Sequence, residues 1–225
     1  MHMYRQRARA RAMAASLAMA SGAIVLTAGC SSQGGSGTLP AAGPVTRAAS
    51  PQFAEAILDT ARLEPALPDQ FSVPAEVSQP RNRKAWDASD AAICRSEEWP
   101  ATWCSQAISL GIAAYTNATD QELSIRLISF RSPEQAAALF TGKGTEDEVG
   151  KNPPGDQIDG FEFTPGQGWQ GRGINVRQGS VIATIKYSWK QGTAVPSDRL
   201  MAVTRMTVER ITQAQHSQTP TASTR

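Results

Sequence analysis

The sequence predicts an α+β domain in which an antiparallel sheet of about four to five strands packs against two to three helices. Two arms, 169–177 and 179–189, meet at the turn residues Gln178 and Gly179, and the second arm alternates apolar and polar residues, which is typical of a β-hairpin. The other strand-like segments are interrupted by only a few segments with helical spacing. This order favours antiparallel strands over the regular strand–helix alternation of a parallel sheet.

The first part of the domain is predicted to contain two helices with a proline-rich segment between them. Ser50 and Pro51 are typical of a helix start, and apolar residues then recur at helical spacing, so a helix is predicted from about 51 to 63. Residues 63–80 contain four prolines and are expected to be extended along the surface. A short second helix is predicted over 87–94, with Asp87 as its cap.

Three apolar segments in the middle of the chain are predicted strands: 110–115, 122–130 and 158–163. Residues 117–120 have the composition of a turn between the first two. Ser132 and Gln135 form a capping box, which predicts a helix that ends at Gly142. The polar, glycine-rich residues 143–157 are expected to form a loop.

The last part of the domain contains the clearest pattern. The hairpin is predicted to turn at Gln178 and Gly179, and one face of its second arm is apolar, which indicates a buried side. That face holds Val181, Ala183, Ile185, Tyr187 and Trp189. Ser197 is predicted to cap a final helix with one apolar stripe. After Ala214 the chain lacks large apolar residues, so we expect a disordered tail.

The first 29 residues are expected to direct export. Four arginines lie between Arg5 and Arg11, no acid precedes residue 30, and residues 12–28 are apolar, which is the pattern of a secretory signal peptide. Without this segment the 22 basic residues fall to 18 against 20 acids, a net charge near −2. A protein of this charge has no basic footprint for nucleic acid, and no nucleic-acid partner is expected.

The end of this segment, Leu26-Thr27-Ala28-Gly29-Cys30, resembles the lipobox of bacterial lipoproteins. The usual pattern has leucine three residues before the cysteine, where this chain has Thr27. The resemblance implies cleavage before Cys30 and an extracytoplasmic protein that is anchored to the outer face of the cell membrane by lipid on that cysteine. The alternative is an ordinary signal peptide with a chance cysteine.

The predicted organisation has four parts. Residues 1–29 form the lipoprotein signal peptide, and the Gly/Ser-rich residues 30–49 form a flexible tether. Residues 50–214 form the α+β extracytoplasmic domain, and residues 215–225 form the disordered tail.

Two of the three cysteines remain once Cys30 carries lipid. Cys94 and Cys104 form an even pair in an exported chain, so a structural disulfide is predicted. The alternatives are a redox pair, which usually has two residues between its cysteines, and a metal site, for which no histidine lies nearby.

The sequence argues against most enzyme chemistries. The only histidines are His2, in the signal peptide, and His216, in the tail, so a catalytic triad has no base and a zinc site has few ligands. No cofactor and no metal are expected. A hydrolase based on paired carboxylates is the remaining alternative, with Asp156 and Asp159, or the acidic run 146–148, as candidates.

Tryptophans are the best candidates for ligand binding, because their large faces suit sugars, lipids or peptides and their N–H can donate. Trp99 and Trp103 lie inside the predicted disulfide loop, and Trp169 begins the hairpin. Trp99 and Trp103 are equally consistent with the core. Tyr187 and Trp189 are interpreted as core residues, because they lie on the apolar face of the hairpin.

The order of elements resembles that of actinobacterial cell-envelope lipoproteins and of the extracellular sensor domain of PknH-type receptor kinases. The resemblance rests on the strand–helix unit at 123–140 and the hairpin at 177–182 before a last helix. It implies a non-enzymatic binding or sensor domain whose ligand is a small molecule, a cell-wall fragment or an envelope protein. The alternative is an accessory protein that docks onto a membrane complex. Those sensor domains have two disulfides, whereas this chain offers one.

Overall fold

The computed structural model describes residues 55–96, 99–141, 152–193, 195 and 198–225. In these residues the chain forms one antiparallel sheet of six strands and five α-helices. The strands are β1 (Gln79–Asp87), β2 (Ser109–Thr116), β3 (Gln121–Ser129), β4 (Gln157–Phe163), β5 (Trp169–Gln178) and β6 (Val181–Lys190). The helices are α1 (Thr60–Ala66), α2 (Ala91–Ser96), α3 (Ala101–Cys104), α4 (Pro133–Leu139) and α5 (Arg199–Gln215). The predicted α+β class is confirmed, but the predicted counts of strands and helices are too low.

The strand missing from the prediction is β1, at one edge of the sheet. The strand order is β1-β2-β3-β6-β5-β4, and all neighbouring pairs are antiparallel. Residues 79–84 of β1 are exposed, include Pro80 and carry three cations, so the strand has no alternation of apolar and polar residues. Proline and charge are tolerated at an edge, because one side of the strand has no partner that needs its N–H groups.

The predicted helix over 51–63 begins later than expected. Residues 51–54 lie outside the described part, residues 55–59 are not helical, and α1 starts at Thr60. Asp59 fixes this start, because its carboxylate accepts the Arg62 N–H at 3.0 Å. The expected extended segment after 63 in fact contains the end of α1 and a 3-10 turn over Ala75–Val77.

The second predicted helix, over 87–94, also begins later in the sequence than expected, at Ala91. Asp87 ends β1 instead of capping a helix, and its carboxylate accepts the Ser89 N–H at 2.8 Å. Asp90 accepts the Ala92 N–H instead, at the start of α2. The hairpin between β5 and β6 turns at Gly179 and Ser180, one residue later than predicted. The predicted cap Ser197 lies outside the described residues, and Asp198 precedes α5.

The two faces of the sheet have different coverings. We call the first the α1/α5 face, because α1 and α5 pack on it with a core of mainly aliphatic side chains. We call the second the disulfide face: at one end it packs against residues of α2, α3 and α4, among them Cys94, Trp103 and Ala136. The β6 pattern predicted the first core, since Val181, Ala183 and Ile185 lie in it, but it did not predict a second one. Ile182 lies in the second.

The C-terminal residues differ from the predicted disordered tail. The Thr224 N–H donates to the Ser72 carbonyl at 2.9 Å, and the Arg225 guanidinium donates to the carbonyls of Val73 and Gln70. Polar residues therefore hold this segment through hydrogen bonds, which its lack of large apolar side chains did not reveal. No helix in the described part of the chain is both long and apolar enough to cross a membrane.

Candidate functional site

The predicted disulfide between Cys94 and Cys104 is confirmed, and it organises one end of the disulfide face. It joins α2 to α3 with a Cα–Cα distance of 5.9 Å. These helices have 6 and 4 residues, which is too short to be stable alone. Closing this short loop restricts the unfolded chain and is worth about 2–3 kcal/mol.

Trp103 anchors this unit to the sheet. Its side chain is 8% exposed and packs in the core of the disulfide face. Its indole N–H donates to the Leu139 carbonyl at 3.1 Å, which ties α3 to the end of α4. The geometry therefore gives Trp103 a core role.

A cleft of about 770 Å³ opens beside the disulfide. Its described lining includes both bridged cysteines and Trp99, which is 8% exposed. The other lining residues are Asp87, Ala88, Ser89, Ala101, Ser105, Ala107, Ile108 and Arg131. The volume lies within the range of small-molecule sites, which have mainly apolar walls and a few polar groups. We call this feature the disulfide cleft.

Backbone pairing at the end of the sheet positions the wall of the cleft. The Ala88 N–H donates to the Ile108 carbonyl at 3.0 Å, and the Ile108 N–H donates to the Ser129 carbonyl at 2.8 Å. These bonds extend the β1–β2–β3 pairing past the strand ends. They bring residues from three distant parts of the sequence to one opening.

Two exposed charges stand at the cleft. The hydrogen bond from the Ser89 backbone N–H lowers the pKa of Asp87 below its ordinary value of 3.8, so this carboxylate is charged at neutral pH. The Arg131 backbone N–H donates to the Gln135 side chain at 3.1 Å. The Arg131 guanidinium itself is exposed at the cleft and carries the opposite charge. The site thus combines an apolar wall with one group of each sign.

The third candidate, Trp169, lies elsewhere. It begins β5 opposite Lys190, whose ammonium lies 5.9 Å from the centre of the indole ring. It lines a smaller depression of about 310 Å³ with Arg81 and Glu122. Strand register separates this row from the cleft end, at the Ser129–Val181 pair, by about 30 Å along the sheet. Trp99 and Trp103 therefore belong to the same buried core, with Trp99 at the wall of the cleft, and Trp169 lies apart from both.

The carboxylates proposed for a hydrolase are placed as follows. Asp156 accepts hydrogen bonds from the Arg177 guanidinium at 2.7 Å and the Gly179 N–H at 2.8 Å, so it stabilises the β5–β6 turn. Asp159 lies within β4, and the acidic run 146–148 lies outside the described residues. In the described ranges, no group of three or more His, Cys, Asp or Glu residues is arranged to hold a metal ion.

Sequence reasoning identified Trp99 and the disulfide as site features but missed Asp87 and Arg131 as cleft residues. The pattern around Asp87 indicates a helix cap, and Arg131 follows a strand without any motif. Only the pairing of segments remote in sequence brings them together.

Comparison with protein-family models and with curated proteins finds no match to this chain.

Proposed function

We propose that this chain is a lipid-anchored extracytoplasmic binding or sensor lipoprotein. It is not an enzyme, and it takes a small molecule or a cell-wall fragment in the disulfide cleft. The single observation that carries the proposal is the cleft of about 770 Å³ between the covalent bridge and Trp99. A rigid wall of this kind reduces the ordering cost of binding, because the site is largely formed before the ligand arrives.

The chemistry of the cleft supports a ligand with an apolar body and polar ends. Trp99, Ala107 and Ile108 offer contact area to the body of such a ligand. Ser89, Ser105, Asp87 and Arg131 offer hydrogen bonds and charge at the opening. The described lining includes serine hydroxyls but no histidine to activate one of them as a nucleophile, which favours binding over hydrolysis by a triad.

The anchoring part of the proposal rests on the lipobox resemblance at Cys30. A disulfide is the usual partner of export, since cytosolic thiols are kept reduced. We expect the intact mass of the protein from membranes of an expressing bacterium to match residues 30–225 plus lipid. Cys30→Ala is expected to lose both the lipid mass and membrane retention. An unlipidated wild-type mass, or a variant that stays on the membrane, would contradict the anchor.

The binding part is tested by filling the cleft. Ala101 is exposed and lines the cleft, so Ala101→Phe places a ring in it without disturbing the core. Ala138, on α4, is exposed and absent from the described lining, which makes Ala138→Phe the matched control. A solvent extract of the same cell envelope is expected to raise the Tm of wild type and of the control.

The Tm of Ala101→Phe is expected to be unchanged by the extract. Equal shifts in both variants would place binding outside the cleft. No shift with the wild-type protein would remove the support for a small envelope ligand.

Phe71 favours a second candidate function, docking onto an envelope complex. Two large apolar side chains in the described residues are exposed to solvent: Phe71, at 66%, and Ile57, at 44%. Asp69 holds the Phe71 turn by accepting the N–H groups of Phe71 and Ser72, both at 2.9 Å. A rigidly presented aromatic side chain suits a protein interface. If docking is the main function, Phe71→Ser but not Ala101→Phe will reduce the size of the native membrane complex.

A further inference from the structure

The disulfide cleft carries one charge of each sign, and in the described part of the chain these two charges do not pair with each other. The Asp87 carboxylate accepts hydrogen bonds from Ser89, and the contact of Arg131 with Gln135 is made by its backbone N–H. Neither side chain forms an ion pair with any described residue. Both residues are exposed and line the cleft. Each charge is therefore available to a ligand.

Backbone pairing places these charges side by side across the end of the sheet. β1 ends at Asp87 and β3 ends at Ser129, the two strands run in the same direction, and Ser109 of β2 lies between them. The Asp87 carboxylate lies 2.8 Å from the backbone nitrogen of Ser89, the second residue past the end of β1. Arg131 is the second residue past the end of β3. Two strand spacings, about 10 Å, therefore separate the two backbones that carry the charges.

An apolar wall lies between the two charges. Ile108, which precedes β2, pairs through its N–H and its carbonyl with Ser129 and Ala88, so its backbone groups are satisfied and its side chain faces the ligand space. The buried Trp99 and the disulfide complete this wall. A charged group placed against such a wall would lose its hydration without gaining a partner. The lining therefore favours a ligand with opposite charges at its two ends and apolar groups between them.

We propose that the disulfide cleft binds a zwitterionic peptide of about two residues with apolar side chains. Its ammonium contacts Asp87, and its carboxylate contacts Arg131, whose planar fork matches a carboxylate. Its side chains pack on Trp99 and Ile108, and the Ser105 hydroxyl is available to the peptide bond. An extended dipeptide holds its terminal charges about 7 Å apart, which fits the span between the two backbones. This inference rests on the proposed function, because it assigns a ligand class to the same cleft.

The test uses the full chain, purified in detergent, and isothermal titration with the dipeptide leucyl-leucine. Three blocked forms are the matched probes: the N-acetyl form lacks the ammonium, the C-terminal amide lacks the carboxylate, and the doubly blocked form lacks both. We expect the free dipeptide to bind. Each single block is expected to weaken binding about three- to tenfold, since each charged contact is strong but partly exposed to water. The doubly blocked form is expected to bind most weakly.

Two variants assign the ends of the ligand. Asp87→Asn is expected to bind the free and N-acetyl forms equally and to keep its preference for a free carboxylate over the amide. Arg131→Gln is expected to show the converse, with equal affinity for the free form and the amide. Selectivity is the informative readout, because a merely structural role of either residue would weaken all four probes by the same factor.

The controls remove charges elsewhere or fill the cleft. Arg205 and Glu209 are exposed on α5, which packs on the other face of the sheet. Arg205→Gln and Glu209→Gln are expected to bind all four probes like wild type. Ala101→Phe is expected to bind none of them, because its ring occupies the cleft. Circular dichroism melting confirms that each protein used in the titration is folded.

Four outcomes overturn the inference. They are no binding of free leucyl-leucine to folded wild-type protein, equal affinity of wild type for the free and doubly blocked forms, unchanged binding by folded Ala101→Phe, and loss without a change of selectivity in both Asp87→Asn and Arg131→Gln. The envelope extract separates this failure from that of the proposed function. If the dipeptide does not bind but the extract raises the Tm of wild type and not that of Ala101→Phe, the cleft binds a ligand of another class. If the extract also has no effect, the proposed function fails as well.

Discussion

The two faces of the sheet are covered by different means. On the α1/α5 face, one 17-residue helix and a mainly aliphatic core leave little concave surface. On the disulfide face, the described residues include three helices of 6, 4 and 7 residues, which pack at one end. Short helices need support, which here comes from a disulfide and a buried tryptophan, and the disulfide cleft opens beside them. The comparison teaches that one long helix suits a closed core, whereas short helices leave a cleft, which is where we propose that the ligand binds.

The α1/α5 face also contains an irregular segment that is held by arginines. Residues 64–73 have few regular backbone hydrogen bonds, and their carbonyls require donors. Three guanidinium groups supply them, those of Arg83, Arg210 and Arg225. The Tyr115 hydroxyl donates to the Pro68 carbonyl at 2.6 Å, and burial raises the pKa of Tyr115 to about 12. Polar side chains therefore stabilise this segment by donating hydrogen bonds to its backbone carbonyls.

Removing the hydrogen bonds of Arg210 is expected to have the largest effect on stability. Arg210 is 4% exposed. Its guanidinium donates to the carbonyls of Pro65, Ala66, Leu67 and Ala222 and to the Ser72 hydroxyl. Arg210→Ala leaves buried carbonyls unpaired, and the free energy of unfolding is expected to fall by about 3–4 kcal/mol.

The measurement for Arg210→Ala is urea unfolding followed by circular dichroism. Arg205→Ala is the control, because Arg205 is exposed on the same helix. We expect the control to stay within about 0.5 kcal/mol of wild type. Equal losses in the two variants would show that loss of the carbonyl network is not responsible, because Arg205 has no part in that network and alanine is the better helix former.

The disulfide face should depend on its covalent link. Cys94→Ala with Cys104→Ala is expected to lower the free energy of unfolding by about 2–3 kcal/mol, because the unfolded chain gains freedom. Reductant should destabilise wild type by a similar amount and leave the double variant unchanged. If the double variant keeps wild-type stability, the short helices are held by packing on Trp103 alone.

The sequence predicted the parts of the fold that have strong local patterns. The alternation in β6 and the turn residues between β2 and β3 specified three neighbouring strands, and export with two remaining cysteines specified the disulfide. It missed β1, because an edge strand with Pro80 and exposed cations has no apolar alternation. It also missed Asp87 and Arg131 at the cleft, since only pairing between residues remote in sequence brings them together. The order of the C-terminal residues could not be predicted, because hydrogen bonds, rather than apolar contacts, hold them.

The contact between Gly171 on β5 and the Phe163 ring on β4 allows a milder test. Gly171→Ala forces the Phe163 ring to move, because the new Cβ would lie 2.6 Å from it. We expect a loss of about 1–2 kcal/mol in the free energy of unfolding, as for other overpacked sites. Gly166→Ala is the control, since a Cβ atom at that position would have no other atom within 4 Å. A Tm for Gly171→Ala equal to that of the control would mean that the ring does not rest on this glycine.

The smallest expected effect is a pH dependence of the unfolding free energy, which arises from Asp69 at the Phe71 turn. Burial opposes ionisation of Asp69. Hydrogen bonds from the Ser72 hydroxyl and the Phe71 and Ser72 N–H groups outweigh it and lower the pKa of Asp69 below 3.8. A lowered folded-state pKa stabilises the fold above the unfolded-state pKa, and this stabilisation is lost as the pH falls through the folded value.

Asp69→Asn should therefore flatten the acid side of the stability curve. Below pH 3.8, the ordinary pKa of the group, the unfolding free energy of wild type is expected to fall more steeply than that of Asp69→Asn. The difference at neutral pH should be below about 1 kcal/mol, because the site is largely exposed. Ser72→Ala removes one donor and should give an intermediate slope. Identical slopes in all three proteins, measured by urea unfolding across the acid range, would show that this turn gains nothing from the charge of Asp69.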